Sequence, residues 1–206
     1  MKVGIIGGTF DPMHIGHLAI AEDVWQELGL DHVLFIPAGQ PWMKEGRTIS
    51  ERHHRLNMVK IGVGSKPHFK VSSVEIDRAG PTYTVDTLRT LQKQGVLRGD
   101  CYFIIGEDSY ANFFRWKEPA HILELCTLVV VGRPGHLPHG NGVDHINGVS
   151  LADKIMFHDG PLVDISGTAI RHRVIQGYSI QHLVPREVVQ YIESNDLYRK
   201  PEGANE

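Results

Sequence analysis

Two histidines three residues apart, His14 and His17, follow a glycine-rich stretch: Gly7-Gly8-Thr9-Phe10-Asp11-Pro12-Met13-His14-Ile15-Gly16-His17. On a helix, two imidazoles at this spacing share a face. As donors they can stabilise charge developing on a phosphoryl group and its leaving oxygens. As ligands they could hold a metal, but no Glu completes an HExxH arrangement. A third reading makes them capping or core side chains. Gly7 and Gly8 permit a tight turn and close approach of backbone to a ligand, and Gly16 leaves room for a phosphate or a nucleotide ring. No Gly-Lys-Ser/Thr follows, and the pattern is not GxGxxG, so neither a Walker loop nor a dinucleotide fingerprint is present.

The elements around this stretch decide between those readings. Val3-Gly4-Ile5-Ile6 is a short apolar run of the kind that forms a strand buried on both faces. Leu18, Ala21, Trp25 and Leu28 then recur at helical spacing, with Glu22, Asp23, Gln26 and Glu27 opposite and Gly29 as the stop. The histidines therefore stand where a strand hands over to a helix, beside unpaired N–H groups and a positive dipole end, which is an anion site. Further strands are expected at residues 33–36, 71–76, 102–105 and 128–131. Ser50 can cap a helix carrying Leu56, Val59 and Val63, and Thr82 or Thr84 can start one with Val85, Leu88 and Leu91. Such alternation predicts an α/β fold, a doubly wound, mainly parallel sheet whose ligands lie at the strands' carboxyl ends. Near the end, Ser166-Gly167-Thr168 leads into a helix over 169–176, and Pro185 opens another over 186–194, predicting a small C-terminal helical subdomain. The expected division is a core over 1–165, a helical subdomain over 166–200 and a disordered tail over 201–206.

Composition removes several function classes. The 206 residues carry 21 Lys+Arg against 24 Asp+Glu, a formal charge of −3, so no basic footprint for nucleic acid exists. No apolar run reaches the roughly 18 residues of a membrane span. Asp11, His14 and His17 interrupt any signal-peptide core, so a cytosolic protein is expected. Cys101 and Cys126, both in apolar stretches, read as buried thiols. Residues 133–150, rich in Gly and Pro, read as a loop, and His136, His139 and His145 within it as solvated rather than metal-binding.

The segment from Gly7 to His17 resembles the signature of the nucleotidyltransferase superfamily, T/S-x-x-P-x-H-x-G-H. His14-Ile15-Gly16-His17 is also similar to a signature of class I aminoacyl-tRNA synthetases, but their Lys-Met-Ser-Lys-Ser motif is absent. Ile165-Ser166-Gly167-Thr168-Ala169-Ile170-Arg171 resembles the I-S-S/G-T-x-I-R motif of small adenylyltransferases. Pro81-Thr82-Tyr83-Thr84-Val85-Asp86-Thr87-Leu88, Gly106-Glu107-Asp108 with Trp116, and the ending at Leu197-Tyr198 resemble segments of bacterial nicotinate-nucleotide adenylyltransferases. Together these cover about residues 3–198.

The resemblance implies a Rossmann-like core and roles residue by residue. ATP phosphates would lie over Gly7, Gly8, Thr9 and Phe10 and meet His14 and His17. Ser166, Thr168 and Arg171 would hold the triphosphate, and Gly106 and Asp108 the ribose. Trp116 would stack on the pyridine ring, Tyr83 and Thr84 would read the nicotinate carboxylate, and Lys44 would approach the mononucleotide phosphate. Mg²⁺ would ride on ATP phosphates and water, with no protein side chains as ligands. The implied reaction joins ATP and nicotinate mononucleotide into deamido-NAD and pyrophosphate, with His14, His17 and Arg171 catalytic. Partners would be small molecules, with homo-oligomers common. Alternatives are an enzyme preferring nicotinamide mononucleotide or phosphopantetheine, and a non-catalytic nucleotide-binding protein. Departures from the pattern are Gln40-Pro41-Trp42-Met43-Lys44 for Pro-Pro-His-Lys, Gly167 for a second Ser, and Glu107 for a small residue.

Overall fold

Strand β1 (Lys2–Gly8) sends alternate side chains to opposite faces of a sheet, and both faces are covered. Ile6 joins one apolar cluster, Val3 and Ile5 the other. Strands β2 (His32–Pro37), β4 (Asp100–Gly106) and β5 (Thr127–Gly132) divide their residues likewise, which is why these runs read as continuously apolar. This computed structural model describes residues 1–41, 49–64, 66–132, 145–146 and 149–199.

With β3 (Phe69–Val71) and β8 (Ile155–Asp159), the strands form a six-stranded parallel sheet in the order β3-β2-β1-β4-β5-β8. Helices α1 (Ile15–Leu28), α2 (Arg52–Val63), α6 (Gly167–Ile175) and α7 (Arg186–Ser194) contribute to the first cluster. Helices α3 (Thr84–Lys93) and α5 (Pro119–Leu125) contribute to the second. The doubly wound α/β expectation therefore holds. The chain leaves β1 toward β2 on one side and later returns to β4 on the other. The switch point thus lies between β1 and β4, where ligands of such sheets bind. Buried His158 on β8 bonds Asp23 (2.6 Å) and Glu27 (3.0 Å) of α1, fastening that helix to the sheet's far edge.

Several expectations are corrected. The third strand is Phe69–Val71, not 71–76. Beyond it the chain turns, because the Ser72 hydroxyl accepts the Val74 N–H and the Asp77 N–H bonds the Ser73 carbonyl. The sixth strand, β8, is additional to those expected. Ser50 does not cap α2, whose N-cap is Glu51. Its N–H instead donates to Asp11 and its carbonyl accepts from Arg55. Of the two expected starts of α3, Thr84 begins the helix, with Tyr83 as its N-cap. Within residues 133–150 a short antiparallel pair occurs, β6 (His145–Ile146) with β7 (Val149–Ser150). His136, His139, Lys44 and the tail over 201–206 lie outside the described residues.

Gly29, at φ 56°, ends α1 in the left-handed conformation the sequence called for. Ser166 caps α6 by accepting the Ala169 N–H at 3.2 Å, and Pro185 precedes α7. Both cysteines are buried free thiols. The neighbouring Cys101 thiol and burial push the Cys126 thiol well above its usual range, and it bonds the Ile122 carbonyl (3.2 Å). Among the described residues, no helix is long and apolar enough to cross a membrane.

Candidate active site

The turn after β1 and the first turn of α1 meet the start of α6 in a cleft of about 160 Å³. Thr9, Phe10, His14 and His17 line it from one end of the chain, Thr168 and Arg171 from the other. Of the expected ATP-side residues, the cleft gathers these six. Gly7 and Gly8 immediately precede it on β1, and Ser166 caps the helix that supplies Thr168. Gly106 and Asp108 lie apart from this lining, exposed at the carboxyl end of β4 and in the short helix α4 (Glu107–Tyr110).

The two histidine rings stack with centroids 3.6 Å apart. The His14 N–H donates to Nδ1 of His17 at 3.2 Å, so that nitrogen is an acceptor and a neutral His17 carries its proton on Nε2. His14 is only 7 % exposed, and burial lowers its pKa to about 4. Its Nδ1 rests against the first turn of α1, where a Cβ on Gly16 would stand 3.0 Å away. The positive end of the helix favours an unprotonated Nδ1 there. The site therefore begins with a neutral His14.

Phe10 adopts a positive φ of 49° with its ring buried, so what it offers the cleft is mainly backbone. Its ring sits edge-on to His17 at 4.8 Å and occupies the place of a side chain at Gly8, 3.2 Å from that missing Cβ. Arg171 donates from Nη1 to the Asp11 carbonyl (2.7 Å) and from Nη2 to the Thr168 hydroxyl (3.3 Å). These bonds aim a guanidinium with five N–H donors into the cleft. Gly167 also matters: a Cβ there would meet the Asp11 carbonyl at 2.8 Å, which accounts for glycine where a serine was expected.

The expected acceptor-side residues cluster elsewhere. Tyr83 and Thr84 stand at the start of α3, with the Lys117 ammonium 4.8 Å above the Tyr83 ring. Trp116 follows a 3₁₀ turn (Phe113–Arg115) and packs edge-on to Phe103 and Phe113. Phe103 in turn lies 3.4 Å from the position of a Gly7 Cβ. Phe103 thus links Trp116 to β1.

Sequence reasoning missed two groups that hold the cleft. Arg55, 2 % exposed, donates to the carbonyls of Thr9 (3.0 Å), Ala38 (2.5 Å), Gly39 (2.9 Å) and Ser50 (3.0 Å). It shares the buried stripe of α2 with Met58, Val59 and Val63, while Leu56 is only half-buried. A charge at such a stripe position was the available signal. Tyr198 donates to Oδ1 of Asp11 at 2.7 Å, and burial beside that carboxylate pushes its phenol above the usual range.

The sequence profile of the cytidylyltransferase-like family matches residues 5–173. A relative from Dehalococcoides mccartyi (strain ATCC BAA-2266 / KCTC 15142 / 195), named "Probable nicotinate-nucleotide adenylyltransferase", is 43% identical over 202 residues. That match covers 97% of this chain and 98% of the relative. One of the same name from Roseiflexus sp. (strain RS-1) is 45% identical, covering 96% and 98% respectively. The fold is that of a Plasmodium falciparum nicotinic acid mononucleotide adenylyltransferase complexed with NaAD, at TM-score 0.75 and 20% identity, covering 96% of this chain and 97% of that one. The expected signature at residues 7–17 thus lies within a matched family profile and near-full-length relatives. The chain belongs to the cytidylyltransferase-like family and, within it, to the nicotinate-nucleotide adenylyltransferases.

Proposed function

We infer that the protein transfers the adenylyl group of ATP to nicotinate mononucleotide, forming deamido-NAD and releasing pyrophosphate. The observation that carries this reading is the meeting of two helix N-termini on one cleft, with His14 and His17 from α1 and Thr168 and Arg171 from α6. Such a cleft suits a polyphosphate. A phosphate oxygen of the mononucleotide attacks the α-phosphorus in line, the bond to the β-phosphate bridging oxygen breaks, and pyrophosphate departs with that electron pair. The nucleophile is already anionic near neutral pH, so no general base is needed. Catalysis is positioning plus stabilisation of spreading phosphoryl charge.

His17, with Nε2–H as its donor, faces the α-phosphate and its leaving oxygen alongside His14. Arg171 and the Thr168 hydroxyl hold the departing phosphates, and Thr9 and Phe10 cradle them by backbone. Gly106 and Asp108 take the ribose. Tyr83, Thr84 and Trp116 receive the nicotinate, and Lys44 the mononucleotide phosphate. The carboxylate in the cleft, Asp11, already accepts from Tyr198 and the Ser50 N–H. That donor set fits Mg²⁺ bound through ATP phosphates and water. When bound, the ion neutralises charge on the leaving pyrophosphate. The reaction belongs in the cytosol, with small molecules as partners.

The test is pyrophosphate release from Mg²⁺-ATP with nicotinate mononucleotide, nicotinamide mononucleotide or phosphopantetheine supplied separately. A strong preference for the first is expected. Turnover with another acceptor alone replaces the acceptor, and tight ATP binding without turnover makes the chain a binding protein.

A further inference from the structure

Between the ATP-side cleft and the residues assigned to nicotinate lies a line of buried and half-buried polar groups. It starts at Arg55, whose guanidinium joins the Thr9 carbonyl to those of Ala38 and Gly39. Gly39 is held from both sides of its backbone. Its carbonyl accepts from Arg55 at 2.9 Å, and its N–H reaches the Glu75 carboxylate. A Cβ at Gly39 would fall 2.1 Å from the Glu75 carbonyl, so nothing but glycine fits.

Glu75 continues the line toward α3. Its Oε1 accepts the hydroxyl of Thr87 at 2.8 Å, and that hydroxyl in turn accepts from Arg78 at 3.2 Å. Thr87 is 1 % exposed and stands one helical turn beyond Tyr83. The Thr82 N–H donates to the Gln40 carbonyl at 3.0 Å, and Pro41 bridges to Thr82, so the loop leaving β2 runs alongside the residue that precedes Tyr83. Burial raises the Glu75 carboxyl above its usual range, opposed by bonds from Thr87, Thr82 and Gly39.

We propose that Glu75 and Arg55 are positioning residues of the transfer reaction: Glu75 fixes Tyr83–Thr84 and the Gly39 loop as one acceptor wall, and Arg55 ties that wall to the Thr9 turn. This rests on the adenylyl transfer to nicotinate mononucleotide inferred above. Glu75, bonded to Thr87, Thr82 and Gly39, acts on acceptor binding alone, whereas Arg55, bonded to the Thr9 carbonyl as well as to those of Ala38 and Gly39, acts on both substrates.

Initial rates of pyrophosphate release, with each substrate varied, test this in the wild type and in Glu75→Gln, Thr87→Val, Thr87→Ser and Arg55→Lys. Glu75→Gln and Thr87→Val are expected to raise KM for nicotinate mononucleotide about tenfold or more, with KM for ATP within about twofold. Thr87→Ser keeps the hydroxyl and stays near wild type, and Arg55→Lys raises both KM values. If Glu75→Gln does not fold by circular dichroism, the Thr87 pair decides. Equal rises in both KM values for Thr87→Val, an unchanged acceptor KM, or a Thr87→Ser variant as impaired as Thr87→Val overturns the proposal. A wild type that does not use nicotinate mononucleotide overturns the functional reading first, and the proposal with it.

Discussion

His14 and His17, the residues we propose to stabilise the phosphoryl charge, form one small surface. Their stacked rings and the backbone-to-Nδ1 bond fix both imidazoles before any ligand arrives, so little reorganisation is left for the reaction. Replacing either by Ala is expected to lower kcat by about 10²–10³, the cost of losing one charge-stabilising donor, in a pyrophosphate-release assay. Near-wild-type kcat at either position would remove that role. Burial of His14 also predicts a pH dependence of stability. The folded ring stays neutral down to about pH 4, whereas the unfolded chain takes up a proton near 6.5. Between those values the unfolded state binds more protons, so stability present above pH 6.5 is lost as pH falls toward 4, by up to ~3 kcal/mol. Thermal midpoints of wild type and His14→Gln across that window measure it: the wild-type curve should fall more steeply on the acid side. These residue types and their spacing were legible in the sequence. The neutral state of His14 was not, because it depends on burial by distant segments.

At the level of elements, α1 is a helix whose second residue, Gly16, lies tight under the His14 ring. Gly16→Ala would improve intrinsic helix propensity by ~1 kcal/mol. It would also press a methyl against the buried His14 ring, 3.0 Å from Nδ1 and 3.2 Å from Cε1. The expected outcome is a thermal midpoint at or above wild type with kcat at least about tenfold lower, since small misplacement at a reacting centre is costly. Loss of stability and activity together would point to the helix instead. Short continuous apolar runs gave away β1, β2, β4 and β5 because both sides of the sheet are covered. The sequence overextended β3 because Val74 and Ile76 are apolar, yet Ser72, Ser73 and Asp77 bend the chain locally. In β8 the apolar residues Ile155, Met156 and Phe157 sit between Lys154 and His158, a run too short to stand out. Arg55 escaped notice because its partners are backbone carbonyls of three separate segments, which no spacing in one helix reveals.

Across the whole molecule, the cleft is built from both ends of the chain. Asp11 accepts the Tyr198 hydroxyl through its carboxylate and Arg171 through its carbonyl, so contacts 160 and 187 residues long converge on one residue. Tyr198→Phe removes a hydrogen bond to a buried carboxylate and should cost ~1.5–3 kcal/mol by denaturant unfolding. It should also raise KM for ATP, because the Asp11 turn borders the phosphate-side lining. A variant as stable as wild type with unchanged ATP KM would show that the Tyr198 segment is a passenger. The resemblance of the C-terminal ending was readable in sequence, but what Tyr198 holds was not, since nothing local to residue 198 names residue 11.

The Tyr198–Asp11 bond also sets a timetable. Asp11 is made early, but it gains its phenol partner only after Tyr198, 187 positions later, has been added. At about 5–20 residues per second, the nascent chain carries its histidines for some 10–40 s before the phosphate side of the site can close. A chain released early, short of Tyr198, would lack that anchor and would not compete for ATP on equal terms with the finished enzyme.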